Sequence, residues 1–183
     1  IVDCDWSSDV CSSDLGLQGG RGLVMITRGK RIAVLMGGFS SEREISLVSG
    51  AAVAKALGAR GHEIIPIDVG PNVAFSLSEA QPEVAFNALH GRFGEDGCIQ
   101  GMLEMMGLPY THSGVLSSAL AMDKPSALSL FRDAGIRVPH GRIAHREEVL
   151  AGAVMEPPYV VKPINEGSSV GVVIVRDKED NPF

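Results

Sequence analysis

Between positions 30 and 111, short apolar runs typical of strands alternate with stretches in which apolar residues recur at helical spacing. Arg31–Met36 is a continuous apolar run that ends at Gly37-Gly38, which is typical of a buried parallel strand. Further strands are predicted over 63–68, 83–89 and 109–111. Pro66 places the first of these at or near the edge of the sheet, because proline cannot donate to a strand ladder. The alternation predicts an open parallel sheet with helices on both faces.

Helical spacing follows the first strand. Ile45, Val48, Ala52 and Ala56 recur at steps of three and four residues, which predicts an amphipathic helix. Ser40 or Ser41 is the expected N-cap, and Gly58 or Gly61 the expected end. A further helix is predicted over 99–106.

The pattern changes after Ser113. Helices are predicted over 115–122 and 126–134, and strands over 142–144, 159–162 and 171–175. The last two strands flank a Gly- and Ser-containing loop and read as an antiparallel hairpin. Antiparallel strands after parallel ones indicate a second domain, so we divide the chain into a first domain over 25–121 and the start of another over 122–183.

The first 24 residues differ from the rest, with four Asp residues and no sustained apolar period. They lack the basic and apolar regions of a secretory signal. Cys4 and Cys11 lie seven positions apart without a nearby His, which does not suit a metal site. We interpret residues 1–24 as a non-native or disordered extension and Met25 as a plausible start.

Composition narrows the functional classes. Of 183 residues, 45% are hydrophobic, which is enough to build a core, and the net charge of -6 argues against binding nucleic acid through phosphate contacts. No apolar run approaches the ~18 residues that would indicate a membrane span. Cys98 is the one cysteine outside the N-terminal extension, which suits a reduced, cytoplasmic protein.

Polar and glycine-rich loops follow three strands. They are Gly37–Glu44, Ala88–Gly97 and Lys162–Gly171. The first two come at the carboxyl ends of parallel strands, where such sheets bind ligands. Glu42 would attract an ammonium, whereas Lys162 and the backbone N–H groups after it suit phosphate oxygens. The first loop lacks GxGxxG, and the third is not a P-loop, because its Lys precedes the glycines.

Each loop also has a purely structural interpretation. Glu42 and Glu44 are equally well explained as acidic residues that stabilise the first turn of a helix. A single His in a loop, such as His90, is more often solvated than functional. Lys162 fits a mobile hairpin tip, and Asp123-Lys124 taken alone is an ordinary helix start.

Together, in this order, the motifs resemble the D-alanine–D-alanine ligase family of the ATP-grasp superfamily. The segments that carry the resemblance are VLMGGFSSEREISLVSG (34–50), NALHGRFGEDGCIQGMLEMMGLPYTHSGVLSSALAMDK (87–124) and YVVKPINEGSSVGV (159–172). The resemblance covers about residues 30–175. It implies an α/β fold in which a parallel-sheet N-terminal (pre-ATP-grasp) domain precedes a partial α+β ATP-grasp domain.

The resemblance also implies residue roles. Glu42 corresponds to the glutamate that holds the ammonium of the first D-alanine, with Ser168 linked to it, and these two are the expected catalytic residues. His90 is expected beside the same D-alanine. ATP is expected to contact Lys124, Lys162, Gly167, Ser168 and Ser169.

The implied reaction joins two D-alanines for peptidoglycan precursor synthesis and cell wall biogenesis. The carboxylate of the first attacks the γ-phosphate of ATP, and the amine of the second displaces phosphate from the acyl phosphate. A loop must exclude water, because the acyl phosphate hydrolyses easily. Lysines and Mg²⁺ are expected to neutralise phosphoryl charge. D-alanine and ATP are therefore the expected partners, without nucleic acid or membrane, and a homodimer is left open.

No segment of the chain matches the family's metal ligands, the tyrosine partner of the serine or the transition-state arginine. We therefore expect no metal-binding residue in this chain and predict that it is an inactive fragment by itself. The alternatives are a D-alanine–D-lactate or another ATP-grasp carboxylate–amine ligase, and a noncatalytic amino-acid or nucleotide-binding module. A dehydrogenase is disfavoured by the first loop.

Overall fold

The computed structural model describes residues 29–151, 154–167, 170–177 and 179–180. The interpretations of residues 1–24, Met25, Ser168 and Ser169 therefore fall outside the described residues. Within those ranges, none of the helices has the length and apolar content that a membrane span requires.

Three parallel strands form the central sheet. They are β1 (Arg31–Gly37), β2 (Glu63–Val69) and β3 (Val84–Asn87), in the order β2-β1-β3. The edge position predicted for the Pro66 strand is confirmed. Beyond β3, the fourth predicted strand is reduced to one parallel bridge between Ala85 and Tyr110, because only the groups flanking Tyr110 bond to Ala85.

Six helices and a separate hairpin complete the described fold. They are α1 (Arg43–Gly58), α2 (Val73–Ala80), α3 (Cys98–Met105), α4 (Val115–Met122), α5 (Lys124–Asp133), α6 (Arg146–Leu150), β4 (Tyr159–Val161) and β5 (Val173–Val175). β4 and β5 pair antiparallel, which confirms the predicted hairpin. The predicted strand over 142–144 is wrong, since these residues lead into α6 instead. Neither α2 nor α6 was predicted.

Helices cover both faces of the sheet, as predicted. On one face, Leu77 of α2 and Leu103 of α3 pack with Leu35 and its neighbours. On the other, Leu47 and Val53 of α1 pack against residues that include Met36. Successive side chains of β1 therefore point into two cores on opposite faces of the sheet, which explains why the strand is apolar along its whole length.

The face of α1 predicted to be its apolar side is the exposed one. Ile45 is 54% and Val48 72% exposed, whereas Ser46 and Gly50 are buried against the sheet. A Cβ on Gly50 would lie 2.5 Å from Cβ of Met36, so the helix approaches β1 more closely than a larger residue would allow. Two helix faces carry apolar residues at helical spacing, and the close packing at Gly50 selects one.

The start of α1 also differs from the prediction. The helix begins at Arg43, with Glu42 rather than Ser40 or Ser41 at the N-cap position. The Ser40 hydroxyl accepts a hydrogen bond from the Glu42 N–H at 3.1 Å, one residue before the helix. The predicted end at Gly58 is confirmed. The division at residue 121 stays a prediction, and it falls inside α4, one residue before the end of that helix.

Candidate functional site

Two loops leave the carboxyl ends of β1 and β3 side by side. The first, Gly37–Glu42, leads into α1, and the second, Ala88–Gly97, leads into α3. β1 and β3 are neighbours in the sheet, so their ends bring these loops together. The sequence expectation that both loops share one edge of the sheet is therefore confirmed.

Glu42 lies at the junction of these loops with a third. It is 3% exposed. A Cβ on Gly91 would lie 2.7 Å from Glu42 Oε2, and a Cβ on Gly167 would lie 3.1 Å from the same oxygen. The carboxylate therefore sits against two glycine backbones, one in the loop after β3 and one in the loop after β4. Glycine at both positions allows this approach.

An ion pair fixes the start of α1 beside Glu42. Arg43 donates to both carboxylate oxygens of Asp68, at 2.6 and 2.5 Å, and also to the carbonyl of Gly38 at 3.2 Å. The hydrogen bond from Arg43 holds the pKa of the Asp68 carboxyl below its usual value, and the same bond raises the pKa of Arg43. The pair ties α1 to the end of β2, and a side chain on Gly37 would collide with it.

The loop after β3 is held by polar side chains within it and in the strand and helix that flank it. Asn87 donates to the carbonyl of Gly94 at 2.8 Å and accepts from the Leu89 N–H at 3.1 Å. Gln100 donates to the same Gly94 carbonyl, and Glu95 accepts from the Gly91 N–H at 2.7 Å. These bonds give the loop a defined shape although it contains three glycines.

His90 is half-buried, and its Nε2 lies 3.2 Å from the hydroxyl of Ser49 on α1. It also lines a cavity of about 420 Å³ between α1 and α4, together with residues such as Asn87, Gln100 and Ser117. Glu42 does not line this cavity. The structure thus places His90 and Glu42 on adjoining loops, with the His90 ring directed to Ser49.

Lys124 and Lys162 border the third loop. The Lys124 ammonium donates to the carbonyls of Ile164 and Glu166, at 3.1 and 2.5 Å. Its neighbour Asp123 accepts from the Asn165 amide at 3.2 Å. Lys162 follows β4 and is exposed. The start of α5 and the loop that reaches Glu42 are therefore joined, a connection the sequence analysis missed.

Several other positioning residues were also missed. Ser46, Asp68 and Asn87 are ordinary helix or strand residues in the sequence, and only their partners across the fold distinguish them. Within the described ranges, no three His, Cys, Asp or Glu side chains come together as metal ligands would.

A family model described as the D-alanine–D-alanine ligase N-terminus matches residues 31–84 and 71–113. A D-alanine–D-alanine ligase of Methylorubrum extorquens is 57% identical over 153 residues, which are 84% of this chain and 50% of the relative. One from Parvibaculum lavamentivorans is 54% identical over 157 residues, 86% of this chain and 51% of the relative.

Solved structures agree. The D-alanine–D-alanine ligase of Bacillus anthracis superposes with a TM-score of 0.67 at 38% identity, covering 82% of this chain and 51% of that one. Its complex with ATP gives a TM-score of 0.64 at 34% identity, covering 82% and 52%. The chain spans about half the length of the curated relatives it matches. By sequence and by fold, the chain belongs to the D-alanine–D-alanine ligase family.

Proposed function

We propose that the protein containing this chain is an ATP-dependent ligase that joins two D-alanines for peptidoglycan precursor synthesis. The observation that carries the proposal is the position of the Glu42 carboxylate, buried where the loops after β1, β3 and β4 meet. A buried carboxylate where three loops meet suits the ammonium of an amino acid, because an opposite charge reduces the cost of keeping the carboxylate away from water. The relatives named as D-alanine–D-alanine ligases support the choice of amino acid.

In the proposed first step, a carboxylate oxygen of one D-alanine attacks the γ-phosphorus of ATP, and the bond to the β,γ-bridging oxygen breaks. ADP leaves, and an acyl phosphate remains. The neutral amine of the second D-alanine then attacks the acyl carbon, phosphate leaves with its oxygen, and the nitrogen loses a proton. Glu42 holds the first ammonium throughout, and we assign His90 to the same substrate.

The loop after β4 is the proposed cover of the ATP phosphates. Gly167 lies against Glu42, and Lys124 donates to the carbonyls of Ile164 and Glu166, so this loop contacts both the proposed amino-acid site and the start of α5. We assign Lys162, Ser168 and Ser169 to the phosphates along the same loop, and Ser168 to the link with Glu42. ATP is present in the Bacillus anthracis complex, which shares this fold. Mg²⁺ would neutralise part of the phosphoryl charge in this step, and no cluster of three candidate ligands for it lies within the described residues.

The decisive experiment uses the protein translated from its complete reading frame. With ATP and D-alanine it should release phosphate and form D-alanyl-D-alanine in equal amounts. Glu42→Gln removes the charge and keeps the shape, so the KM for the first D-alanine should rise at least about tenfold, the loss expected for one charged hydrogen bond. Glu44→Gln, on the exposed side of the same helical turn, is the matched control and should leave KM unchanged. Equal KM values in both variants would contradict the assignment of Glu42.

ATP binding is tested separately. Lys162→Ala should weaken ATP binding in a titration, whereas Lys55→Ala on the exposed side of α1 should not. Tight binding of NAD in place of ATP would exclude a ligase. Binding of ATP and D-alanine without turnover by the complete protein would favour the noncatalytic module.

The second substrate needs its own test. A D-Ala:D-Ser ligase of Enterococcus faecalis shares this fold with a TM-score of 0.62 at 30% identity, covering 83% of this chain and 57% of that one. The same assay with D-serine or D-lactate beside D-alanine distinguishes the ligases. We further propose that the 183-residue chain alone is inactive, and dipeptide formation by the purified chain would disprove this.

A further inference from the structure

The hydroxyl of Ser46 joins the two loops that carry Glu42 and His90. Ser46 is fully buried in the first turn of α1. Its Oγ accepts a hydrogen bond from the Gly37 N–H at 2.9 Å and donates one to the carbonyl of Ala88 at 2.7 Å. Gly37 ends β1, and Ala88 follows β3, so one hydroxyl links the ends of two adjacent strands.

Ser40 repeats this arrangement nearer the site. Its Oγ accepts from the N–H of Glu42 at 3.1 Å and donates to the carbonyl of His90 at 2.7 Å. The two residues whose backbones Ser40 joins, Glu42 and His90, are those assigned to the first D-alanine. In each case a serine hydroxyl accepts a hydrogen bond from one N–H of the first loop and donates one to a carbonyl of the second.

We propose that Ser40 and Ser46 are positioning residues, which set the separation of the Gly37–Glu42 and Ala88–Gly91 loops and thereby hold Glu42 and His90 in place for one substrate molecule. The inference rests on the proposed function. A hydroxyl is suited to this task because it donates and accepts at one atom. The ladder between β1 and β3 cannot fix the separation of the loops, since it ends at the Leu35–Asn87 pair. Beyond that pair, hydrogen bonds such as these serine bridges and that from the Ala88 N–H to Leu35 hold the loops.

The test uses the complete protein and separates binding of D-alanine from the other steps. Ser40→Ala removes the bridge at a half-buried position, and Ser40→Thr keeps a hydroxyl there. We expect Ser40→Ala to raise the KM for the first D-alanine about 10- to 100-fold, because a small misplacement of binding groups has effects of this size. The KM for ATP should change less than about twofold, and Ser40→Thr should restore most of the loss. Ser78→Ala on the exposed side of α2 is the matched control.

Coupling to Glu42 distinguishes positioning from general weakening. In a Glu42→Gln background, Ser40→Ala should have little further effect on the KM for D-alanine, because the group it positions has lost its charge. Ser46→Ala should likewise have little further effect on the KM for D-alanine in this background. It should also make amide hydrogen exchange at Gly37 faster, because it removes the acceptor of the Gly37 N–H.

The outcomes separate the two proposals. If the wild-type protein shows no D-alanine-dependent phosphate release, the proposed function is wrong and this role for the serines fails with it. If the wild type is active but Ser40→Ala keeps the wild-type KM for D-alanine, only the inference about the serines is overturned. Equal losses of affinity for ATP and D-alanine, or additive effects with Glu42→Gln, would also overturn it.

Discussion

The carboxylate of Glu42 lies against the backbone of Gly167, and a Cβ on that glycine would come within 3.1 Å of Glu42 Oε2. Glu42 belongs to the loop after β1, whereas Gly167 belongs to the loop after β4 in the antiparallel part of the chain. This contact joins the two parts of the molecule at one carboxylate. The proposed amino-acid site and the proposed cover of ATP are therefore neighbours, and any side chain on Gly167 would crowd both.

Gly91→Ala should destabilise the fold more than Gly107→Ala. Both glycines have positive φ values, 68° and 65°, so alanine meets a similar backbone penalty of ~1–2 kcal/mol at each. At Gly107 no atom lies within 4 Å of the added methyl, whereas at Gly91 it would lie 2.7 Å from Glu42 Oε2. Urea denaturation of the two variants measures the difference. Equal losses of unfolding free energy would show that the Glu42 carboxylate moves aside freely.

Alanine should have opposite effects at two glycines of α1. Gly50→Ala places a methyl 2.5 Å from Cβ of Met36, which must push the helix from the sheet, and we expect a loss of ~1–3 kcal/mol. At Gly58 the nearest atom, Ile64 Cγ1, lies 3.7 Å away, an ordinary contact. Gly58→Ala should therefore stabilise the fold by ~0.4–1 kcal/mol through the lower entropy of the unfolded chain. Thermal unfolding checks both, and stabilisation by Gly50→Ala would contradict the close packing.

The ion pair of Arg43 and Asp68 should make stability depend on pH in the acid range. The hydrogen bond from Arg43 lowers the pKa of Asp68 in the folded state. The contribution of the ion pair to stability is therefore fully present above the pKa that Asp68 has in the unfolded chain. It is lost as the pH falls through the pKa of Asp68 in the folded state. Asp68→Asn should cost stability at pH 7 and progressively less below about pH 4. The effect should be small, because both side chains are about half exposed and water screens them.

Urea denaturation of Asp68→Asn at several pH values measures this dependence. Asp133→Asn, at the exposed end of α5, is the control. If the cost of Asp68→Asn were the same at pH 3 and pH 7, the ion pair would not contribute as described.

Leu103→Ala should test the core under the site. Leu103 of α3 is completely buried against β1 and β3, so its truncation should cost ~2–5 kcal/mol. Met105, on the same helix, is 92% exposed, and Met105→Ala should change stability by less than ~0.5 kcal/mol. Chemical denaturation measures both. A large loss in Met105→Ala would indicate a contact that this fold does not contain.

The residue pattern alone was sufficient for the three strands of the central sheet, the hairpin and the loops that carry the candidate site. β1, the edge strand with Pro66, and the hairpin around the Lys162 loop were predicted because apolar runs, proline and glycine act over a few neighbouring residues. Elements with weak local patterns were not predicted. The short α6, which begins with charged residues, had no prediction, and neither did α2; a strand was wrongly predicted over 142–144, just before α6.

The residues around Glu42 in the sequence support two interpretations of it. Its charge and its place after a buried strand indicated an ammonium site, whereas its helix-start interpretation was equally supported. The structure places Glu42 at the N-cap position of α1 and against the backbones of Gly91 and Gly167. Its role as an ammonium site stays a prediction. The roles of His90, Lys124, Lys162, Ser168 and Ser169 stay predictions.

The sequence by itself therefore indicated the three strands of the central sheet and the loops at its carboxyl edge, because these depend on periodicity and on Gly and Pro. Only the tertiary structure decided which face of α1 packs, since Ile45 and Leu47 lie on faces that both repeat at helical spacing and the close approach at Gly50 selects between them. It also decided that Ser40 and Ser46 bridge two loops. A serine hydroxyl finds such partners only when distant backbone groups are brought within about 3 Å of it.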